Sequence, residues 1–374
     1  MSKMIYLDYA SHTPPTSEVL TAFCKTEEEF IANPMANHSL GFVANNKLNE
    51  VTKGLAEILN CKPLELIYTS GASESNNLAI KGICKTYKHI GRHILSTCLE
   101  HPSVSGTLAN LQQEGYEIEL VKILPNGQID LNHLQQAIRP DTVLVCISAV
   151  DSELGVIQPL EEIGQIVSMY ANCKLHIDAA QVIGKIPVKI DKFSTLSLSG
   201  HKFYGLTGIG VLIKKEGVVL EPLIHGGAST TIYRSGTPAL GLAVACFTAL
   251  QQCVNNMDTN LLQVQNMQNY LQSSLQAYPK VCINSPLNNS PYILNISVEG
   301  VKATEFQQKL SEKGVCVSVK SACSTDNSPS RPVMAISNKK NAMSSWRISL
   351  SHLTTQAEID QFLTVFSNIY QEIT

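Results

Sequence analysis

The chain has 374 residues, of which 44% are hydrophobic and 16% charged, with a formal net charge of −3 at pH 7. This is the composition of a globular protein large enough for two domains. It offers no basic surface for nucleic acid or for a membrane, and no run of about 18 apolar residues predicts a transmembrane helix. An apolar leader is missing, and the eleven cysteines form no C-x-x-C pair, so we expect a cytoplasmic protein with reduced thiols.

The first two thirds of the chain alternate between apolar strands and helices. Residues 5–9 predict a strand, residues 16–31 and 39–59 predict helices, and residues 65–80 predict a strand, a glycine turn and the start of a helix. Further strands are predicted at 93–98, 117–122, 142–148, 174–178, 195–199 and 209–214, with helices at 102–114, 130–139 and 159–171. Such alternation predicts an α/β fold in which a mainly parallel seven-stranded sheet is sandwiched by helices.

The pattern changes after Pro238. A long helix is predicted at 239–275, followed by strands at 281–284, 292–298, 315–319 and 345–349 and by helices at 302–313 and 354–372. Residues 324–332 have the composition of a mobile surface loop. We therefore expect a large domain over 15–250 and a smaller α+β domain formed by 1–14 and 251–374.

A lysine and an aspartate at predicted strand ends carry the first functional signal. Lys202 follows the strand at 195–199, and a partly desolvated lysine there is a usable amine nucleophile, with Ser199 and His201 beside it to bind an anion. Taken alone, a solvated lysine in a glycine-rich loop is the more probable interpretation. Asp178, however, ends the strand at 174–178. Lysine for a Schiff base and a carboxylate for the ring nitrogen are the two groups that pyridoxal phosphate (PLP) requires.

Two further segments fit a PLP site. The turn Gly71-Ala72-Ser73 joins a strand to a helix, where backbone N–H groups and the helix dipole favour a phosphate, although Ser73 is an equally plausible simple helix cap. His101 follows another strand, where an imidazole can stack on a cofactor ring and move protons, and its alternative is a histidine at a helix start.

Cys323 and Arg347 are weaker candidates. Cys323 opens the predicted loop, where a thiol is accessible and movable, but among eleven cysteines a spectator in a loop is unremarkable. Arg347 lies in a short strand and can bind a carboxylate through two N–H groups, although a structural ion pair is the more probable interpretation from spacing alone.

Together these motifs resemble the cysteine desulfurases, which are PLP enzymes of fold type I, from about residue 6 to residue 360. The matching segments are 6–8, 69–75, 100–101, 176–181, 199–202, 225–227, 234–237, 321–323 and 346–349. The resemblance implies that Lys202 carries the cofactor, Asp178 holds its ring nitrogen and Gln181 its phenolic oxygen, and His101 stacks on the ring as an acid/base. The implied cofactor-binding residues at the phosphate are Gly71, Ala72, Ser73, Ser199, His201 and, from a second subunit, Thr237. The resemblance further implies that Arg347 and Asn33 bind the substrate carboxylate and that Cys323 forms the persulfide.

The resemblance also implies L-cysteine as substrate, L-alanine as product, a homodimer and a sulfur-acceptor protein in iron–sulfur cluster or thiolation pathways. Four segments depart from the family's usual residues: Ser152 in place of Asn, Lys320 in place of Gly, and residues 228–232 and 351–353. Two alternatives stay open. One is another PLP enzyme of the superfamily, a selenocysteine lyase or cysteine C–S lyase that does not need Cys323. The other is a weakly active binding partner in a sulfur-transfer assembly.

Overall fold

A computed structural model describes residues 4–187, 189, 191–227, 229–320 and 328–373. The strands, in chain order, are β1 (Ile5–Tyr6), β2 (Leu66–Thr69), β3 (His93–Ser96), β4 (Glu117–Leu120), β5 (Thr142–Ser148), β6 (Lys174–Asp178), β7 (Thr195–Ser199), β8 (Gly210–Lys214), β9 (Val281–Ile283), β10 (Ile293–Val298), β11 (Val315–Cys316) and β12 (Ser345–Ser349). The helices are α1 (Ser17–Glu29), α2 (Ser39–Ile58), α3 (Ala72–Thr86), α4 (Pro102–Gln113), α5 (Leu131–Ala137), α6 (Leu160–Ser168), α7 (Leu240–Asn255), α8 (Met257–Leu275), α9 (Ala303–Glu312), α10 (Arg331–Ile336), α11 (Lys339–Met343) and α12 (Gln356–Ile373).

The centre of the molecule is a seven-stranded sheet in the order β2-β8-β7-β6-β5-β3-β4. Within this sheet, β8 runs antiparallel to both of its neighbours, while the pairs of β3, β4, β5, β6 and β7 are parallel. Every residue of β5 is buried, as expected for a parallel strand covered by helices on both faces. The predicted fold, an α/β protein with a mainly parallel seven-stranded sheet, is confirmed.

A smaller α+β region follows in the C-terminal part of the chain. β10 pairs antiparallel with β9 and β12, and β1 from the N-terminus pairs parallel with β11. Its core is aromatic: the rings of Phe306 and Trp346 stack at 5.4 Å, and Phe366 lies 5.1 Å from Phe306. The segment that follows β1 contacts the central sheet, where the Thr13 backbone N–H donates to the His201 carbonyl just after β7. The domain limits at residues 15 and 250 stay a prediction.

Two sequence predictions are wrong in detail. The single helix expected at 239–275 is two helices, because the chain breaks at Asn256, whose φ is −113° and ψ is 10°. The Asn256 side chain donates a hydrogen bond to the Gln252 carbonyl at 2.8 Å, and this competes with helix continuation. The loop expected at 324–332 ends early, since Ser330 caps α10, which begins at Arg331.

The structure bears on the state of the cysteines and on the character of the helices. The cysteines that the structure describes are free thiols. None of the described helices combines the length and the apolar composition needed to cross a membrane.

Gly210 in β8 has no side chain, and this allows the turn before α3 to pack closely against the sheet. Replacing Gly210 tests whether this close packing contributes to stability. A Cβ on Gly210 would lie 2.6 Å from the Cα of Gly71 and 2.8 Å from the Leu198 carbonyl oxygen, and backbone atoms yield little. We expect Gly210→Ala to lower the free energy of unfolding by about 1–3 kcal/mol in a urea titration. Gly106→Ala is the control, because a Cβ there meets no atom within 4 Å. Equal stability of Gly210→Ala and wild type would contradict the prediction.

Candidate active site

A cavity of about 360 Å³ lies at the carboxyl ends of β5, β6 and β7, whose last residues Ser148, Asp178 and Ser199 line it. Ligands bind parallel sheets at this edge because the strand ends and the helix N-termini converge there. The cavity brings together most of the predicted site residues, namely Gly71, Ala72, Ser73, His101, Asp178, Gln181, Ser199, His201, Lys202 and Arg347.

Lys202 ends a short 3₁₀ turn that follows β7 directly. Its Nζ donates hydrogen bonds to the carbonyl oxygens of Ala10, at 2.8 Å, and Ser11, at 2.7 Å. The N-terminal segment after β1 therefore passes over the lysine and places its amine in the cavity. Sequence analysis singled out Lys202 but gave no indication that backbone carbonyls near the N-terminus hold it.

Asp178 is fixed by a buried asparagine that sequence analysis missed. The Asn76 amide nitrogen donates to Asp178 Oδ2 and to Ser103 Oγ, both at 2.8 Å. The other carboxylate oxygen, Asp178 Oδ1, accepts a hydrogen bond from the Ala180 backbone N–H at 3.0 Å. Asn76 lies one helical turn after Ser73 in α3, and that spacing from the phosphate turn is the signal that would have indicated it.

The oxygen of Asn76 is also used. It accepts hydrogen bonds from Ser197 Oγ and from His176 Nε2, the latter at 3.0 Å, while His176 Nδ1 lies 2.9 Å from Thr195 Oγ1. Burial lowers the pKa of His176 to about 4, against the smaller opposing effect of Asp178. His176 is therefore a neutral imidazole that donates through Nε2, and the Asn76 amide has a single orientation that satisfies all of its partners.

His101 joins the same network through Ser103. The Ser103 backbone N–H donates to His101 Nδ1 at 3.1 Å, and Ser103 Oγ lies 2.8 Å from the same nitrogen. Burial lowers the pKa of His101, and nearby cations including Lys202 add to the effect while Asp178 opposes it. Since Nδ1 accepts a hydrogen bond, the neutral ring carries its proton on Nε2. His101 also caps α4, so the alternative of a histidine at a helix start is confirmed, while its role at a cofactor ring stays a prediction.

The other end of the cavity is built for an anion. α3 begins at Ala72 with Gly71 as its N-cap, so the alternative in which Ser73 caps the helix is wrong, and Ser73 lies in the first turn. Ser199 Oγ lies 3.0 Å from His201 Nδ1. Burial and the neighbouring Lys202 lower the pKa of His201 to about 4, which makes it a neutral hydrogen-bonding group at pH 7.

Arg347 lies in β12 and is only 2% exposed. One terminal nitrogen donates to Asp8 Oδ1 and Ser11 Oγ, each at 2.7 Å, and the other donates to the Ser152 carbonyl at 2.7 Å. Its Nε is buried and has no hydrogen-bond partner among the described residues. The predicted structural ion pair is present, and two of the five guanidinium N–H groups, Nε–H and one on the nitrogen that donates to Ser152, have no partner among the described residues.

Three predicted site residues are not brought to the cavity within the part of the chain that the structure describes. Thr237 is exposed and lines a separate cleft with Ser70 and Arg234. The Asn33 side chain accepts a hydrogen bond from the Met35 backbone at 2.9 Å. Cys323 lies outside the described residues. The roles of all three stay predictions.

The Asn76 network predicts a large cost for its removal. Asn76→Ala leaves the His176 and Ser197 donors and one Asp178 oxygen without their buried partner, so we expect the free energy of unfolding to fall by about 1–3 kcal/mol in a urea titration. Asn77→Ala, one position later, removes only a bond to the Ser73 carbonyl within α3 and serves as the control, with an expected change within about 0.5 kcal/mol. Equal effects of the two variants would refute this role of Asn76.

His176 predicts a pH dependence of stability. Its pKa is about 4 when folded and about 6.5 when unfolded, so its contribution is complete above pH 6.5 and is lost as the pH falls from about 6.5 to 4. Glu100 and Asp151, whose pKa values burial raises to about 7, act in the opposite sense, so the difference from His176→Gln must be measured. We expect wild type to lose about 3 kcal/mol relative to the variant over this range. Parallel pH profiles would contradict this expectation.

Comparison with known proteins shows the family to which the chain is related. The family model for aminotransferase class-V matches residues 5–362. The cysteine desulfurase IscS of Dictyoglomus turgidum is 32% identical over 100% of this chain and 96% of its own length. The mitochondrial cysteine desulfurase of Arabidopsis thaliana is 35% identical over 96% of this chain and 80% of its own.

Solved structures show the same relationship. A structure described as a NifS-like protein superposes with a TM-score of 0.92 at 30% identity, covering 99% of this chain and 100% of that one. A structure of SspA in complex with cysteine superposes with a TM-score of 0.82 at 32% identity, covering 94% of this chain and 99% of that one. The chain therefore belongs to the aminotransferase class-V family, in the branch formed by the IscS and NifS-like cysteine desulfurases.

Proposed function

We propose that the protein binds PLP in this cavity and is a cysteine desulfurase, which converts L-cysteine to L-alanine and leaves a persulfide on Cys323. The observation that carries the proposal is the placement of Lys202 and Asp178 after adjacent strands, both lining one cavity with Arg347. An amine, a carboxylate and a guanidinium at one sheet edge are the set that a PLP enzyme acting on an amino acid needs.

The chemistry of the cavity wall fits PLP. The Lys202 amine is the attachment point, and the Asp178 carboxylate, held by Asn76, is the partner of the ring nitrogen. At the other end, the N-terminus of α3 and the Ser199–His201 pair supply neutral donors for a phosphate. When bound, PLP supplies an electron-withdrawing ring that stabilises negative charge on the substrate carbons.

The remaining residues position the substrate and move protons. The substrate carboxylate would pair with Arg347, which lines the cavity and is held in place by hydrogen bonds to Asp8, Ser11 and Ser152. His101, whose pKa burial lowers, lines the same cavity and would act as the acid/base of the reaction.

Transfer of the substrate sulfur to Cys323 requires no added oxidant, because the electrons that leave sulfur stay on the substrate carbon. The C–S bond of cysteine breaks and an S–S bond forms to the Cys323 sulfur. The substrate methylene carbon keeps the electron pair, takes up the thiol's proton and becomes the methyl group of alanine. A thiol reductant then reduces the persulfide, releasing sulfide and restoring the Cys323 thiol.

The proposal is tested by incubating the PLP-reconstituted protein with L-cysteine and a thiol reductant, and measuring sulfide and alanine together. We expect equal amounts of both products, a loss of at least about 100-fold in Lys202→Ala and in Cys323→Ala, and normal activity in the matched controls Lys215→Ala and Cys282→Ala. Alanine or pyruvate formation that persists in Cys323→Ala would instead indicate a lyase. No product from protein that retains PLP would overturn the proposed activity.

We further propose that the active protein is a homodimer and that it transfers sulfur to an acceptor protein. Thr237 is exposed on a cleft beside the phosphate turn, which supports its use by the second subunit rather than by its own cavity. Light scattering of the purified protein tests the dimer, and a monomer at the concentration of the activity assay would overturn it.

A further inference from the structure

Lys185 is a buried lysine that the proposed reaction does not use. It lies in the turn after β6, four residues beyond Gln181, and is 3% exposed. Its Nζ donates a hydrogen bond to Gln181 Oε1 at 2.9 Å and lies 6.0 Å from the centroid of the Tyr292 ring. Lysine is rarely buried to this degree, because removing its charge from water is costly.

The Lys185 ammonium restricts the orientation of the Gln181 amide. An ammonium group is a donor only, so it must face the amide oxygen, and a flipped Gln181 would place two donors against each other. In this orientation, Gln181 Nε2 donates to the Ala10 carbonyl at 2.8 Å. The same carbonyl accepts a hydrogen bond from Lys202 Nζ at 2.8 Å, so the amide nitrogen of Gln181 and the reactive amine are neighbours at the cavity wall.

On the basis of the proposed function, we propose that Lys185 is a positioning residue that holds the nitrogen of Gln181 toward the cavity, where it donates a hydrogen bond to the ring oxygen of PLP. The Gln181 nitrogen carries two hydrogens, one for Ala10 and one for the ligand. Gln181 touches the cofactor, whereas Lys185 acts through Gln181 and lies behind it.

The electrostatic surroundings of Lys185 support the assignment. Burial, with smaller contributions from Lys202 and Arg347, lowers its pKa to about 7, and the Cys253 thiol opposes this shift. The Lys185 amine is therefore partly ionised near neutral pH, and its ammonium form donates to Gln181 from behind the cavity wall. A hydrogen bond from the Gln181 nitrogen would favour the ionised ring oxygen when PLP is bound, and would so promote loss of the proton that the oxygen shares with the Lys202 nitrogen.

The test compares Lys185→Met with wild type after reconstitution with PLP. The readout is the pH at the midpoint of the change in visible absorbance, which reports the proton shared by Lys202 and the ring oxygen. We expect the midpoint of Lys185→Met to rise by about one pH unit, and the dissociation constant of PLP to rise about tenfold. Lys214→Met is the matched control, because Lys214 is also buried and also donates to a carbonyl, that of Val218 at 2.9 Å, but Val218 does not line the cavity, whereas Gln181, the partner of Lys185, does.

A double-mutant cycle separates positioning from a purely structural role. If Lys185 acts through Gln181, then Gln181→Leu alone shifts the midpoint upward, and adding Lys185→Met to it causes little further shift. Full additivity of the two shifts would overturn the inference. If Lys185→Met does not fold, the shift in Gln181→Leu and its absence in Lys214→Met remain measurable, and an unshifted Gln181→Leu would equally overturn the inference.

The same experiment distinguishes failure of the inference from failure of the proposed function. Wild-type protein that retains no PLP after dialysis, and shows no visible band, would overturn the proposed function and the role of Lys185 with it. Wild-type protein with a normal band and a midpoint identical to that of Lys185→Met would overturn the role of Lys185 alone.

Discussion

The site depends on the hydrogen bonds of one buried amide, that of Asn76. Its nitrogen donates to Asp178 and Ser103, and its oxygen accepts from Ser197 and His176, so α3, α4, β6 and β7 meet at one side chain. Because every hydrogen-bonding position of the amide is used, none of the four elements can shift without leaving a buried polar group unpaired. Asp178 and His101 are therefore linked by one hydrogen-bond network through Asn76 and Ser103.

The charged side chains of the cavity wall are Lys202, Arg347, Asp178 and Glu74. Glu74 forms an ion pair with Arg234, and Arg347 forms one with Asp8. The two histidines that face the cavity are kept neutral by burial and by the neighbouring cations, since their pKa values are lowered. His101 and His201 can therefore form hydrogen bonds at neutral pH without adding positive charge to the cavity.

The positions at which the chain departs from the usual desulfurase residues leave this core intact. At Ser152 it is the backbone carbonyl that holds Arg347, so the side chain at this position is not needed for the ion pair. His352 packs on Tyr204 with ring centroids 4.5 Å apart and does not line the cavity that contains Asp178. Lys320 donates to the Ser328 carbonyl across the segment that contains Cys323. Of these three residues, Ser152 lines the cavity, whereas His352 and Lys320 do not.

The sequence by itself determined the alternating strands and helices, and therefore the sheet, and it placed Lys202 and Asp178 at strand ends. These features can be predicted because the hydrophobic periodicity of a strand or helix is contained in the residues of that one segment. It did not determine the break at Asn256, because a side-chain bond to Gln252 competes with an otherwise continuous helical pattern. Only the tertiary structure showed that Asn76 serves Asp178, that Ala10 holds Lys202 and that Lys185 orients Gln181. Asn76 and Asp178 are 102 residues apart and Ala10 and Lys202 are 192 apart, so no local pattern records their pairing, and the packing of strands and helices alone decides it.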